Sequence, residues 1–215
     1  MEIRIKMGLT SASTTESHVA DHNSPYLGLI YNVFQLPRES QNGLAIAVTA
    51  PHKSAGTSYI VKALATELGY YPANRILRVD LAMLANNLRP GEDVLQMTQS
   101  TPHASVFHMR ARADAPSIES AAYWRASAEH RKECIDRLRE RFHYVLFDCP
   151  PVLASSDVLG IAPLVDGLIL VAEANRTTRS QISQAERQIE VAGGRLCGSV
   201  LNKQKSSLPN WVRRL

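Results

Sequence analysis

The chain has 215 residues, 45% of them hydrophobic, which suits one large α/β domain with a sizeable core better than two. Its formal net charge of +4 is a mild excess with no dense Lys/Arg tract interleaved with aromatics, so nucleic acid is not an expected partner. Cys134, Cys149 and Cys197 have no paired spacing and are expected to be reduced, the seven histidines give no metal-cage spacing, apolar runs such as Leu168–Ala172 fall far short of the about 20 residues of a membrane span, and no stretch reads as a signal peptide.

Residues 1–23 are polar, rich in Ser and Thr and without periodicity, and are expected to form a flexible arm. Ser24-Pro25 has the form of an N-cap followed by Pro at the first helical position, opening a helix with Ile30, Val33 and Phe34 on one face. Asn42-Gly43 turns the chain into a first core strand, Leu44–Val48. The loop T-A-P-H-K-S-A-G-T-S (49–58) follows. A helix with Ile60, Leu64 and Leu68 in register comes next, closed by Gly69.

Strand, glycine-bearing loop and helix are the context that a phosphate-binding P-loop requires. Set against G-x-x-x-x-G-K-S/T, the loop departs in two places. Pro51 stands where the first Gly belongs and Thr57 where the Lys belongs, while Gly56 and Ser58 match. Without the Lys, the point charge on the β/γ-phosphates is missing, and a hydroxyl cannot mimic it. Pro51 takes one backbone N–H out of the anion nest. Lys53 lies inside the loop, either as a solvated side chain or as a substitute cation.

Arg75–Asp80 reads as the second strand, ending in a carboxylate. Residues 81–102 are irregular with short helical pieces, Ala104–Met109 is a third strand, and Ile118–Phe142 is expected as one long charged helix with Ile135, Leu138 and Phe142 facing the core. Tyr144–Phe147 is an apolar run that stops at Asp148, and Pro150-Pro151 ends the strand. This is either a buried parallel strand whose Asp serves Mg²⁺ or a strand ending in a turn Asp. Ser155-Ser156-Asp157 caps a short helix, and Gly167–Ala172 is the fifth strand. A helix with Ile182, Ala185, Ile189 and Ala192 on one face ends at Gly193-Gly194, and Leu196–Asn202 is the last strand. The pattern predicts an α/β fold with three layers, a mostly parallel, doubly wound sheet of the P-loop NTPase kind, whose strands end near Ala50, Asp80, Asp148, Glu173 and Asn202.

The runs D-C-P-P-V-L-A-S-S-D (148–157), A-P-L-V-D-G-L-I-L-V (162–171), N-R-T-T-R (175–179) and V-L-N-K (200–203) stand in an order and spacing that resembles the bacterial tyrosine kinases of capsule and exopolysaccharide export, relatives of the MinD/ParA group of P-loop ATPases. The resemblance covers Ser24 to Lys203 and is densest from Tyr144 onward. It implies a P-loop domain over 24–204 with a short tail, 205–215. It also implies ATP and Mg²⁺ as cofactors, a membrane-embedded polysaccharide co-polymerase or chain-length protein as partner, and self-association.

By the same resemblance Lys53, Ser54, Ala55, Gly56, Thr57 and Ser58 surround the phosphates. Ser58, Asp80 and Asp148 serve the metal, Asp80 and Asp148 are catalytic, and Asn202 contacts the adenine. An Asn at a strand end is also a common turn former. The chain departs from the pattern at several points. His52 stands at the MinD/ParA signature lysine, Ala82 replaces the second Asp of Asp-x-Asp, and the first helix has no Glu or Arg of the self-association pattern. All seven tyrosines lie at or before Tyr144, so the C-terminal tyrosine cluster is absent. The expectation is a degenerate, kinase-like cytoplasmic regulatory partner recruited to the inner face of the membrane, with weak or no ATP turnover. The alternatives are an active tyrosine autokinase or ATPase with an atypical loop, and a MinD/ParA-type positioning ATPase.

Overall fold

The computed structural model describes residues 2–6, 26–34, 42–71, 73–110 and 118–204. In chain order its elements are β1 (Glu2–Lys6), α1 (Leu27–Phe34), β2 (Leu44–Thr49), α2 (Thr57–Gly69), β3 (Ile76–Asp80), α3 (Leu81–Asn87), a 3-10 turn (Val94–Met97), β4 (Thr98–Ser100), β5 (Val106–Met109), α4 (Ile118–Ala126), α5 (Ala128–Arg141), β6 (Tyr144–Asp148), α6 (Asp157–Ile161), β7 (Gly167–Glu173), α7 (Arg179–Val191) and β8 (Leu196–Gln204). They build one eight-stranded sheet in the order β1-β8-β7-β2-β6-β3-β5-β4. The inner strands from β8 to β5 are parallel, and β1 and β4 flank them antiparallel.

Each inner strand divides its side chains between two cores, because successive side chains point to opposite faces. Ala45, Ala47, Leu77, Val79, Val145, Phe147, Leu168 and Leu170 pack with residues of α3 to α7. Leu44, Ile46, Val48, Ile76, Leu146, Ile169 and Val171 pack with α1 and α2, through Leu29, Val33, Ile60, Leu64 and Leu68. Both faces are covered, which is why these strands read as continuous apolar runs instead of alternating ones. Fully burying one such side chain contributes about 1.5–3 kcal/mol, against about 0–1 kcal/mol for an exposed pair such as Lys132–Asp136, so the two cores dominate the stability.

The predicted three-layer, mostly parallel architecture is observed, with differences of detail. Of residues 1–23, expected as a flexible arm, Glu2–Lys6 pair with the end of β8, from Glu2 opposite Gln204 to Lys6 opposite Ser199, and residues 1 and 7–23 lie outside the described residues. Ser24-Pro25 and the tail 205–215 lie outside the described residues. In α1 the buried face is Leu29 and Val33, with Tyr26 just before the helix, and Ile30 is only partly buried. The single helix expected over 118–142 is two. Ser127 interrupts it, and its hydroxyl accepts the His130 amide at 3.1 Å as the N-cap of α5. The Arg131 guanidinium donates to the Trp124 and Arg125 carbonyls at the end of α4, so both broken helix ends are satisfied. Ile135, Leu138 and Phe142 face the core as expected.

Strand order positions the site. β2 lies between β6 on one side and β7 on the other. The loop leaving β2 therefore emerges where the winding of the sheet changes direction, the crevice in which open α/β sheets bind ligands.

Candidate functional site

The loop after β2 is shaped by two left-handed residues, Ser54 at φ 70° and Gly56 at φ 98°. Gly56 is required on two counts. Its φ is one that L side chains rarely adopt, and a Cβ there would lie 2.2 Å from Nδ2 of Asn202. Gly56 is also the N-cap of α2, and no side chain caps that helix. The first-turn amides of a 13-residue helix thus have no side-chain acceptor, an arrangement that attracts anions.

A cleft of about 250 Å³ opens over the loop. Lys53, Ser54, Ala55, Thr57 and Ser58 line one side and Asp80, Ala82, Asp148 and Cys149 the other. Strand register explains the second wall, since Asp80 and Asp148 are partners at the ends of β3 and β6. Burial pushes the Asp148 carboxyl above the usual carboxylate range; hydrogen bonds from the Ser58 and Thr57 hydroxyls pull the other way, and the neighbouring Asp80 charge raises it further. Asp80 additionally caps α3 by accepting the Met83 amide at 2.9 Å. Ala82 lines the cleft where the family pattern has its second Asp, and it brings no carboxylate. Burial also pushes the Cys149 thiol well above its ordinary value, so it is held as a thiol and not a thiolate.

The expected metal donors Ser58, Asp80 and Asp148 do converge on this cleft. A hydroxyl and two carboxylates are hard oxygen donors, which suits Mg²⁺ bound by one or two carboxylates together with phosphate oxygens. Among the described residues no group of three or more His, Cys, Asp or Glu could hold a metal ion by itself.

Asn202, expected at the adenine, is 2% exposed and is not among the residues lining the loop cleft. Its Nδ2 donates to the Ala55 carbonyl at 2.8 Å, and its Oδ1 accepts the Lys203 amide at 2.9 Å. The amide thus ties β8 to the loop. His52, at the position of the MinD/ParA signature lysine, is likewise engaged. Its Nε2 is 2.8 Å from the Thr177 hydroxyl and its Nδ1 2.9 Å from the Lys53 carbonyl. A tautomer with the proton on Nδ1 donates to that carbonyl and accepts the Thr177 O–H.

Two further residues reach the loop that sequence reasoning did not single out. The Lys203 ammonium donates to the Ser54 carbonyl at 2.5 Å and to Glu173 Oε1 at 3.1 Å. Lys203 and Thr177 do carry a signal in the sequence, since they belong to the runs V-L-N-K and N-R-T-T-R.

No protein-family model matches the chain. Tyrosine-protein kinase CpsD of Streptococcus agalactiae is 32% identical over 77 residues, 36% of this chain and 34% of that protein. The match thus spans about a third of that relative's length. Among solved structures, the VpsO kinase domain superposes with a TM-score of 0.68 at 18% identity, covering 84% of this chain and 93% of that domain. The cell division ATPase MinD of Pyrococcus furiosus gives a TM-score of 0.58 at 18% identity, covering 80% of this chain and 78% of that one. The homologues of this chain are bacterial tyrosine-protein kinases, and its fold is the one shared by their kinase domains and the MinD-like P-loop ATPases.

Proposed function

We propose that the chain is a cytoplasmic, tyrosine-kinase-like regulatory partner in capsular or exopolysaccharide biosynthesis and export. On this reading it binds ATP–Mg²⁺ weakly in the loop cleft and turns it over slowly or not at all. The observation that carries the reading is Thr57. At the position of the P-loop lysine stands a hydroxyl, in the same cleft as Asp148 and without a positive charge. The N-terminus of α2 and the Gly56 turn still offer a phosphate a favourable field, so some affinity survives. Transfer suffers more, because charge moves onto the β/γ oxygens as the bond breaks. Losing one charge-assisted donor there costs about 3–4 kcal/mol, or about 10²–10³ in rate.

When bound, Mg²⁺ neutralises phosphate charge. Ser58 and Asp148 would hold it, with Asp80 beside them. For Asp148 to do so its carboxyl, raised by burial, must be ionised. Ala82 leaves the general-base work to Asp80, whose carboxylate already caps α3. The partner is a membrane-embedded polysaccharide co-polymerase or chain-length protein, which would bring the chain to the inner face of the membrane; the D-C-P-P-V-L and N-R-T-T-R runs support this group over positioning ATPases. Pull-down from membranes should recover such a protein. Recovery of only soluble chromosome-segregation proteins would point to the MinD/ParA reading instead.

Nucleotide titration and ATP turnover test the central point. Thr57→Lys is expected to raise affinity for ATP–Mg²⁺ and to raise turnover by at least tenfold, while Lys53→Ala leaves both unchanged. A second reading, an active autokinase with an unusual loop, is favoured by one fact: Lys53 lines the cleft. Robust wild-type turnover that collapses in Lys53→Ala would make Lys53 the working lysine and overturn the regulatory reading.

A further inference from the structure

Among the described residues the non-glycine positions with positive φ are Ser54 at 70°, Asn175 at 62° and Lys203 at 60°. They belong to three segments far apart in sequence: the loop after β2, the turn after β7 and the end of β8. These segments meet around the loop. Left-handed backbone is unfavourable for L-residues and persists only where the surroundings over-determine it. Here the surroundings are bonds between the three segments. Lys203 Nζ donates to the Ser54 carbonyl at 2.5 Å, so one strained residue holds the other. Asn202 takes the Ala55 carbonyl at 2.8 Å, and Thr177 reaches His52 at 2.8 Å. The Thr177 oxygen also accepts the Glu173 amide at 2.8 Å, closing the turn that contains Asn175. Glu173 pairs with both Lys203 and Arg176, at 3.1 and 3.2 Å. Two cations face one carboxylate, which leaves one positive charge in excess beside the loop.

We infer that Lys203 is a positioning residue for the phosphate loop. The loop lacks a lysine at position 57, and β8 brings an ammonium to its outer side, at the Ser54 carbonyl. Lys203 is not among the residues that line the cleft, so it acts through the loop's shape and field and does not touch a ligand. Asn202 and Thr177 fix the loop on either side of that point. Lys203 fixes Ser54 in the left-handed conformation from which Ala55, Gly56 and Thr57 follow. The placement stands on geometry alone; its consequence for nucleotide affinity rests on the cleft being the ATP site proposed above.

The test keeps the two apart by using amide hydrogen exchange of the full chain, which needs no nucleotide. Lys203→Ala should raise exchange at the amides of residues 52–58 by tenfold or more. The amides of α7, which has its own capping box at Thr178, should not change. Lys203→Arg keeps a cation of sufficient reach and should restore protection. Glu173→Gln leaves the bond to Ser54 and should loosen the loop less than Lys203→Ala does, which provides a second variant if the first folds poorly. Unchanged loop exchange in Lys203→Ala, or equal loosening in the Arg and Ala variants, would overturn the assignment. In the same proteins, ATP–Mg²⁺ affinity should fall about tenfold in Lys203→Ala and recover in Lys203→Arg. A loosened loop with unchanged affinity would support the brace and count against the nucleotide reading.

Discussion

At the amino ends of β2 and β7, Asp166 accepts the Ala45 amide at 2.7 Å and Arg139 at 3.0 Å, and Arg195 donates to the Asp166 carbonyl at 3.0 Å. The Asp166 carboxylate is thus met by a guanidinium and a main-chain amide, and the chain closes tightly on itself: the Gly43 amide donates to the Arg139 carbonyl at 3.0 Å. At the carboxyl ends of β3 and β6, Asp80 and Asp148 stand side by side as like charges, with Ala82 and Thr57 where a carboxylate and a lysine are missing. The same sheet thus spends its polar groups on closure at one end and leaves them facing a cleft at the other. Like-charge neighbours and strained turns are unfavourable for folding and persist where a ligand is bound.

One added methyl group at each end of the sheet is expected to have the largest effects, and different ones. At Gly43 a Cβ would lie 1.8 Å from the Phe142 carbonyl oxygen, a backbone atom that cannot move alone. Gly43→Ala is expected to cost roughly 3 kcal/mol, the top of the overpacking range, and to lower Tm by roughly 6–12 °C. The affinity of the remaining folded protein for ATP–Mg²⁺ should be unaffected. At Gly56 the obstacle is the Asn202 amide together with φ 98°, for about 1–3 kcal/mol. Gly56→Ala should therefore depress Tm less and abolish nucleotide binding. Equal losses of binding in the two variants would show that the two ends are not separable.

Much of this division is legible in the sequence. The apolar runs 76–79 and 144–147 each stop at an Asp, and that is what carboxyl-end carboxylates look like in a parallel sheet. The loop announces itself through Gly56 and Ser58 between a strand and a periodic helix. What was not legible depends on contacts with no local signature. The bond from Asn202 to Ala55 spans 147 residues, so nothing near either one reveals that the amide occupies the space of a Gly56 side chain. The break between α4 and α5 hangs on one Ser whose hydroxyl prefers capping to a helix interior. β1 is five residues of alternating Ile and polar side chains, too short to stand out from the polar stretch that follows.

A finer test uses the sign of the pH dependence. The Asp148 carboxyl is raised above its ordinary value, first by burial. The folded state therefore holds this proton more tightly than the unfolded chain does. Its contribution is favourable below the ordinary carboxylate range and is lost as pH rises toward the folded value. Asp148→Asn removes that loss. The variant should be as stable as wild type or up to about 1 kcal/mol more stable at neutral pH, with a flatter stability profile just above the carboxylate range. It should also lose Mg²⁺-dependent nucleotide binding. Denaturant unfolding across pH checks the first point. A strongly destabilised Asp148→Asn would mean that the carboxylate is there to hold the loop through Thr57 and Ser58, with no ligand required.

Glu173 provides the opposite sign and the smallest effect. Its carboxyl is held below the usual range, first by the hydrogen bond from Lys203, with Arg176 adding to it. Its contribution is present above the unfolded carboxylate value and is lost as pH falls through the lower folded value. Acidification should thus loosen the Glu173–Lys203 contact while it protonates Asp148, whose carboxyl is raised. Two carboxylates on adjoining parts of one site then pull stability in opposite directions over neighbouring pH ranges. Following the Glu173 side-chain carbon by NMR through an acid titration should show a midpoint below that of an unstructured glutamate, moving up toward the ordinary value in Lys203→Ala. A midpoint that stays put in that variant would show that Arg176 alone sets it. In that case the ammonium of Lys203 belongs wholly to the Ser54 carbonyl, and the positive charge in excess beside the loop is that of Lys203.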